Sequence, residues 1–153
     1  MRITKLKILT PSQEEQIDNL WNEEYPIKLA NRFKLLLEGV NHFNHYLIED
    51  NQRKVMAWAV DFEKDHEIRF SIIVRTADKG KGLGSLLIEK LKVEVDEFYG
   101  WVIDHNNDIK SNGENYQTPL PFYIKHGFTI LKDSRIDTEM LSAVKVKWCS
   151  AKC

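Results

Sequence analysis

The sequence predicts a mixed α/β fold in which one mostly antiparallel sheet of about seven strands is flanked by helices. Three observations carry that expectation. Apolar runs at residues 46–49, 55–62 and 67–74 are separated by short polar segments, the pattern of an antiparallel meander. A stretch with helical period, residues 85–98, then lies between that meander and Trp101-Val102-Ile103, a short apolar run of the kind a parallel strand shows after a crossover helix. A glycine-rich turn, Lys79-Gly80-Lys81-Gly82-Leu83-Gly84, joins the two halves.

Each element has its own signal. Residues 2–9 alternate Ile3, Leu6 and Ile8 imperfectly among polar residues and read as a short edge strand. Thr10-Pro11-Ser12-Gln13 supplies an N-cap hydroxyl, a proline at the first helical position and a glutamine at N3, so a helix begins at Pro11. Ile17, Leu20 and Trp21 give that helix one apolar face, and Tyr25-Pro26 stops it. A second helix is expected over residues 27–38, ending at Gly39. In residues 85–98, Leu86, Leu87, Leu91, Val95 and Phe98 fall near helical spacing, and Gly100 reads as the end of the helix. Residues 105–117 are rich in Asn, Asp, Ser and Gly and read as a long loop, of a length that often carries function. A short helix over 119–126 and strands over 128–131 and 143–148 complete the order β-α-α-β-β-β-α-β-α-β-β.

Composition narrows the function classes. At 153 residues, 42% hydrophobic and 29% charged, the chain reads as one globular domain over 1–153. Lys plus Arg number 22 against 23 acidic residues, so neither nucleic acid nor an anionic membrane is an expected partner. No run has the length of a membrane span and no signal-peptide core follows Met1, so a cytoplasmic location is expected. Cys149 and Cys153 form neither a disulfide framework nor a zinc set and read as reduced thiols. His42, His45, His66 and His126 have no ligand-spaced partners and read as surface or loop residues, and no metal is expected.

The chemistry concentrates in the glycine turn. Alternate glycines leave a backbone whose N–H groups close around an anion at a helix start, and Arg75, Lys79 and Lys81 suit a ligand with more than one phosphate. A Walker A loop is excluded because no lysine precedes Ser85. A dinucleotide fingerprint is closer: Gly80-x-Gly82-x-x-Ser85 is followed about twenty residues later by Asp104. Against it, five residues separate the strand from the first glycine, and no further βαβ repeats follow.

The turn resembles the acetyl-CoA loop of the GNAT (GCN5-related N-acetyltransferase) family, Arg/Gln-x-x-Gly-x-Gly/Ala, with Lys79 at the first position. Phe122-Tyr123-Ile124-Lys125-His126-Gly127-Phe128 is similar to the family's Phe-Tyr-x-Lys-x-Gly-Phe segment. The resemblance covers residues 67–128 and implies transfer of an acetyl group from acetyl-CoA to a small-molecule or peptide amine by direct attack; a homodimer is compatible with it. A CoA-binding module without transfer activity is the alternative from another class.

What the resemblance implies about residues is specific. Lys79, Gly80, Lys81, Gly82, Leu83, Gly84 and Ser85 would hold the pyrophosphate, and the strand backbone at Ile73, Val74 and Arg75 would meet the pantetheine and the thioester oxygen. Tyr123 would protonate the departing thiolate; a phenol near pKa ~10 stays protonated where a thiol near ~8.5 does not. The family's Asn-x-x-Ala ahead of that tyrosine is replaced by Tyr116 and Pro119, which leaves Asn112 or Asn115 for the pantetheine and Tyr116 for the acceptor pocket. Base candidates are Asp104, with His105 beside it, and Glu67; turn chemistry and solvent exposure are the plainer readings of the two acids. Tyr25, Trp58 and Phe43 would form the acceptor wall, although aromatics at such positions more often belong to a core. Glu23 and Glu24 would attract a cationic amine, although a charge pair at a helix end is more often solvated surface.

Overall fold

The computed structural model describes residues 2–153 and contains β1 (Ile3–Leu6), α1 (Pro11–Glu24), α2 (Phe33–Leu36), β2 (Phe43–Glu49), β3 (Val55–Lys64), β4 (Glu67–Val74), α3 (Leu83–Glu94), β5 (Glu97–Val102), α4 (Leu120–Lys125), β6 (Thr129–Asp137) and β7 (Ser142–Cys149). The strands form one sheet in the order β1-β2-β3-β4-β5-β7-β6, with β1 at an edge. Every neighbouring pair is antiparallel except β4 with β5, which α3 connects as a crossover. This is not the repeated parallel βαβ sheet that a dinucleotide fold requires.

The start of α1 follows from its residues. Thr10 Oγ1 accepts from the Gln13 N–H at 3.1 Å while Gln13 Oε1 accepts from the Thr10 N–H at 2.9 Å, a closed capping box. The helix buries Ile17, Leu20 and Trp21 against one sheet face, where Leu47, Trp58, Val60, Phe62 and Ile73 complete a core. The other face packs on α3 and α4 through Phe70, Leu83, Leu87, Leu91, Phe98, Tyr123 and Phe128.

Three expectations are corrected. The second helix is a 3-10 turn over Ile27–Leu29 followed by the short α2. Asn31, at φ +63°, breaks the run, and Asn22 holds that break by accepting from the Asn31 N–H at 2.7 Å; Trp21 Nε1 donates to Leu29 O at 2.8 Å. Helical propensity is overridden by local side-chain bonds.

The crossover helix ends at Glu94 rather than Phe98, and the following strand begins at Glu97. Gly100 is therefore a strand residue. A Cβ there would lie 2.5 Å from the Phe70 ring, so the glycine admits an aromatic from the neighbouring strand rather than ending a helix. Phe98 joins the same cluster at ring-centroid distances of 5.3 Å from Phe70 and 5.7 Å from Phe128.

The two cysteines lie close together at the end of β7. Beyond β7 the chain turns back, with the Cys153 N–H donating to Ser150 O at 3.1 Å, and this brings the two Cα atoms to 6.0 Å. No helix among the described residues is long and apolar enough to cross a membrane.

Candidate active site

A gap in the sheet organises the site. β4 and β5 meet at one register point, Arg69 with Tyr99, and diverge beyond it. The Arg75 N–H donates to Met56 O at 2.8 Å, and antiparallel pairs alternate, so Ile73 and Arg75 turn their backbone groups toward β3. Ile72 and Val74 therefore direct theirs into the gap. Of the three positions expected to meet a ligand, only Val74 has a backbone that faces it; Ile72 takes the place given to Ile73 and Arg75.

The glycine turn closes one end of that gap. After a 3-10 turn at Thr76–Asp78, Gly80 and Gly82 adopt φ of +83° and +80°, where a side chain is strained. A Cβ on either would have nothing within 4 Å, so conformation rather than crowding selects glycine and the space above the cradle is open. The Leu86 N–H bonds to Gly82 O, which leaves the N–H groups of Leu83, Gly84 and Ser85 without helical partners at the positive end of α3. These residues fit a phosphate ester. Gly84 seats α3 on α4, since a Cβ there would come within 3.2 Å of Phe122.

The cations of the turn are already matched by acids. Arg75 meets Asp78 at 2.5 Å and Asp50 at 3.8 Å, Lys81 meets Asp78 at 2.9 Å, and Lys79 meets Glu24 at 3.0 Å. The Arg75 bond, then that of Lys81, holds Asp78 below the usual carboxylate range. Lys79 and Lys81 remain half-exposed, with heads free to turn toward an anion. The backbone supplies the fixed part of the cradle.

A cavity of about 680 Å³ passes through the gap and reaches both sheet faces. On the α3–α4 side it is bounded by the glycine turn, Ile72, Val74, Phe122 and Tyr123, and on the α1 side by Trp21, Glu24, Tyr25 and Tyr116. Tyr123 is buried with its ring against Phe70 at 5.5 Å and Phe128 at 5.2 Å, and burial raises its phenol far above the ordinary value. Tyr25 and Tyr116 stand 6.2 Å apart in the opposite wall; burial pushes Tyr25 up to about 12 and Tyr116 well up too. All three phenols are protonated at neutral pH.

Trp58 belongs to the core and not to the acceptor wall. It is fully buried edge-on to Phe33 at 5.4 Å, and its Nε1 donates to His45 Nδ1 at 3.0 Å. Strand alternation puts it beneath α1 and α2, away from the gap. Phe43 packs against His45 at 5.5 Å and also lies off the cavity.

The two acids considered as bases lie outside the cavity wall. Asp104 accepts two bonds from Arg135, at 2.7 and 3.3 Å, which hold it below its ordinary value. For Glu67, burial acts to raise the carboxyl, but Lys145 at 2.7 Å and Arg69 at 2.9 Å outweigh it. His105 accepts from the Asn107 N–H through Nδ1 at 3.1 Å, and its Nε2 stands 3.8 Å from Asp108 Oδ2, too far for a hydrogen bond. Asn115 is exposed, its amide donating to Asn106 O at 2.7 Å within the loop.

Glu24, named from the sequence with Glu23 as a possible attractor of a cationic amine or solvated surface, is neither free nor solvated. It is buried in the cavity wall, accepting from the Thr76 N–H at 3.0 Å and from Thr76 Oγ1, and paired with Lys79. A signal existed: Ile17, Leu20, Trp21 and Glu24 are i, i+3, i+4 and i+7, which puts the carboxylate on the buried stripe. The long loop docks beside it, with the Ile27 N–H donating to Ile109 O at 2.8 Å.

A glycine turn whose free N–H groups suit an anion thus lies at one end of a cavity through a split sheet, and an apolar chamber lies at the other. The family model described as an acetyltransferase (GNAT) domain matches residues 41–130, and the chain belongs to that family of N-acetyltransferases. Solved structures share the fold along the whole chain. The aminoglycoside 6'-N-acetyltransferase from Enterococcus faecium superposes with a TM-score of 0.69 at 14% identity, covering 97% of each chain. Escherichia coli ElaA gives 0.63 at 14% identity over 96% of this chain and 99% of that one. The spermidine/spermine N-acetyltransferase SpeG from Vibrio cholerae gives 0.62 at 17% identity over 98% and 94%. Among curated proteins, none matches the chain in sequence.

Proposed function

We propose that this chain, as a single cytoplasmic domain, transfers an acetyl group from acetyl-CoA to a primary amine in a ternary complex, with Tyr123 as the acid. The observation that carries the reading is the cavity through the β4–β5 gap, with the glycine cradle at one end and Tyr123 in its wall. Acetyl-CoA supplies an activated acyl group on a thioester. The N–H groups of Leu83, Gly84 and Ser85 bind its pyrophosphate, joined by the heads of Lys79 and Lys81. The free N–H groups of Ile72 and Val74 are the donors for the carbonyl oxygen as it gains charge.

The amine nitrogen attacks the carbonyl carbon, the carbon–sulfur bond breaks, and the Tyr123 hydroxyl gives its proton to the departing sulfur. The proton lost by nitrogen restores the phenol through water. Asp104 and Glu67, tied to cations and off the cavity wall, are poor bases, and Glu24 carries Thr76 and Lys79. No side chain of the wall is poised as a base, so the amine loses its first proton to solvent, and the rate is expected to rise with pH toward the amine's own pKa.

The test is calorimetric titration with acetyl-CoA, CoA and NAD in parallel, followed by thiol release against amines. CoA binding without NAD binding, and turnover that Tyr123→Phe removes while CoA still binds, supports the reading. Retained turnover in that variant sinks the role of Tyr123, and absence of CoA binding sinks the whole.

A further inference from the structure

The α1 side of the cavity carries a pattern of charge that narrows the acceptor; the argument rests on the acetyl-transfer reading above. Side chains alternate along strands, so Phe62 and Lys64 of β3, Arg69, Ser71 and Ile73 of β4, and Trp101 of β5 share this face, and all six line the cavity. Trp21, Leu35 and Leu36 roof the chamber from the helices, and Leu35 is 52% exposed at its mouth. An apolar trough therefore runs from the gap along β4 toward its N-terminal end.

The far end is cationic. Lys64 is exposed and has no ion-pair partner among the described residues. Arg69 gives Nε to Glu67 at 2.9 Å and Nη2 to Asp65 at 3.1 Å, leaving Nη1 uncommitted. Glu67 is shared with Lys145 at 2.7 Å. Lys64 and Arg69 thus line the cavity at this end, whereas Asp65 and Glu67 do not, and Glu38 and Glu63 flank Lys64 on its outer side. At the gap the acids in the wall among the described residues are Glu24, already holding Thr76 and Lys79, and Asp78, already holding Arg75 and Lys81. A polycationic acceptor would find no free carboxylate here and would meet Lys64 and Arg69 at its distal end.

Three strand steps separate Ile72 at the gap from Arg69, about 10 Å at the strand rise. We infer that the acceptor is a primary amine with an apolar body and a carboxylate or similar anion about 10 Å from the nitrogen, the anion lying at Lys64 and Arg69. That is the chemistry of a long ω-amino acid or a short hydrophobic peptide ending in its carboxylate. An α-amino acid alone is too short to reach both ends.

Three probes with one apolar body separate the possibilities: 8-aminooctanoate, octylamine and 1,8-diaminooctane, assayed by thiol release with saturating acetyl-CoA. The order expected for kcat/KM is aminooctanoate, then octylamine, then diaminooctane, each step about threefold, expressed mainly in KM and shrinking with added salt. Lys64→Glu, at an exposed position, inverts the ratio of aminooctanoate to diaminooctane. Equal use of the three, preference for diaminooctane, or a ratio unmoved by Lys64→Glu overturns the inference. Acetyl-CoA binding without turnover of any probe overturns the acceptor class alone, whereas failure to bind acetyl-CoA overturns the parent reading as well.

Discussion

The Glu24 carboxylate, at the last turn of α1, accepts from both the backbone N–H and the hydroxyl of Thr76, fifty-two residues away. This contact fixes the entrance of the phosphate turn to the helix that roofs the acceptor chamber. It also draws Lys79 away from the cradle at 3.0 Å. One side chain ties the α1 wall of the cavity to the glycine turn.

Two variants separate its roles. Glu24→Gln keeps an acceptor for Thr76 but releases Lys79, so CoA is expected to bind about threefold tighter. Glu24→Ala removes the tie and leaves the Thr76 donors unpaired, at a cost of about 2 kcal/mol, with weaker CoA binding. Titration calorimetry and urea unfolding measure both, and equal CoA affinity in the two variants would discount the link.

Tyr123 is held by Phe70, Phe122 and Phe128, and the role proposed for it rests on its one hydroxyl. Tyr123→Phe keeps the packing and is expected to lower kcat roughly a hundredfold, in the range of lost proton transfer, with the KM for acetyl-CoA within about twofold. Steady-state kinetics decides it; a KM effect with kcat retained would make Tyr123 a binding residue.

Gly82 caps α3 at φ +80°. Gly82→Ala forces a Cβ into that conformation, for a loss of about 1 to 2 kcal/mol. It also disturbs the N–H groups beside it, so CoA affinity should fall more than stability does. Thermal unfolding with and without CoA tests this through the loss of the ligand-induced shift in Tm.

His45 gives the chain a pH dependence near neutrality. Burial lowers its imidazole from the ordinary value of 6.5 to about 4, and it is held neutral as the acceptor for Trp58 Nε1. The unfolded chain takes up a proton in that interval and the folded chain does not. Its contribution is therefore full above pH 6.5 and is lost progressively as pH falls toward about 4. Between pH 7.5 and 5 urea unfolding should register a loss of about 2 kcal/mol, and His45→Gln should flatten that slope.

The motifs on either side of the gap were legible because they are contiguous. The capping box at Thr10, the glycine turn and the Phe122-Tyr123 segment each act through neighbours in sequence, and the structure forms all three as their residues dictate. The expectations that failed rest on partners outside the stretch that suggested them. Residues 27–38 look helical until Asn22 reaches Asn31, and Gly100 looks like a helix stop until Phe70 lies against it. Trp58 reads equally well as a wall or a core residue until strand alternation turns it under α1.

By itself, then, the sequence determined the order of elements, the glycine turn and the place of the tyrosine, since periodicity, turn chemistry and capping are short-range forces. Tertiary structure decided which backbone groups face the gap, which cations are already paired, that Glu24 ties α1 to Thr76, and that Lys64 and Arg69 line the far end of the cavity. Those properties come from register and from contacts between residues as far apart as Glu24 and Thr76. No local pattern encodes which strand a backbone N–H turns toward, because the phase of an alternating strand is set only when its neighbour docks.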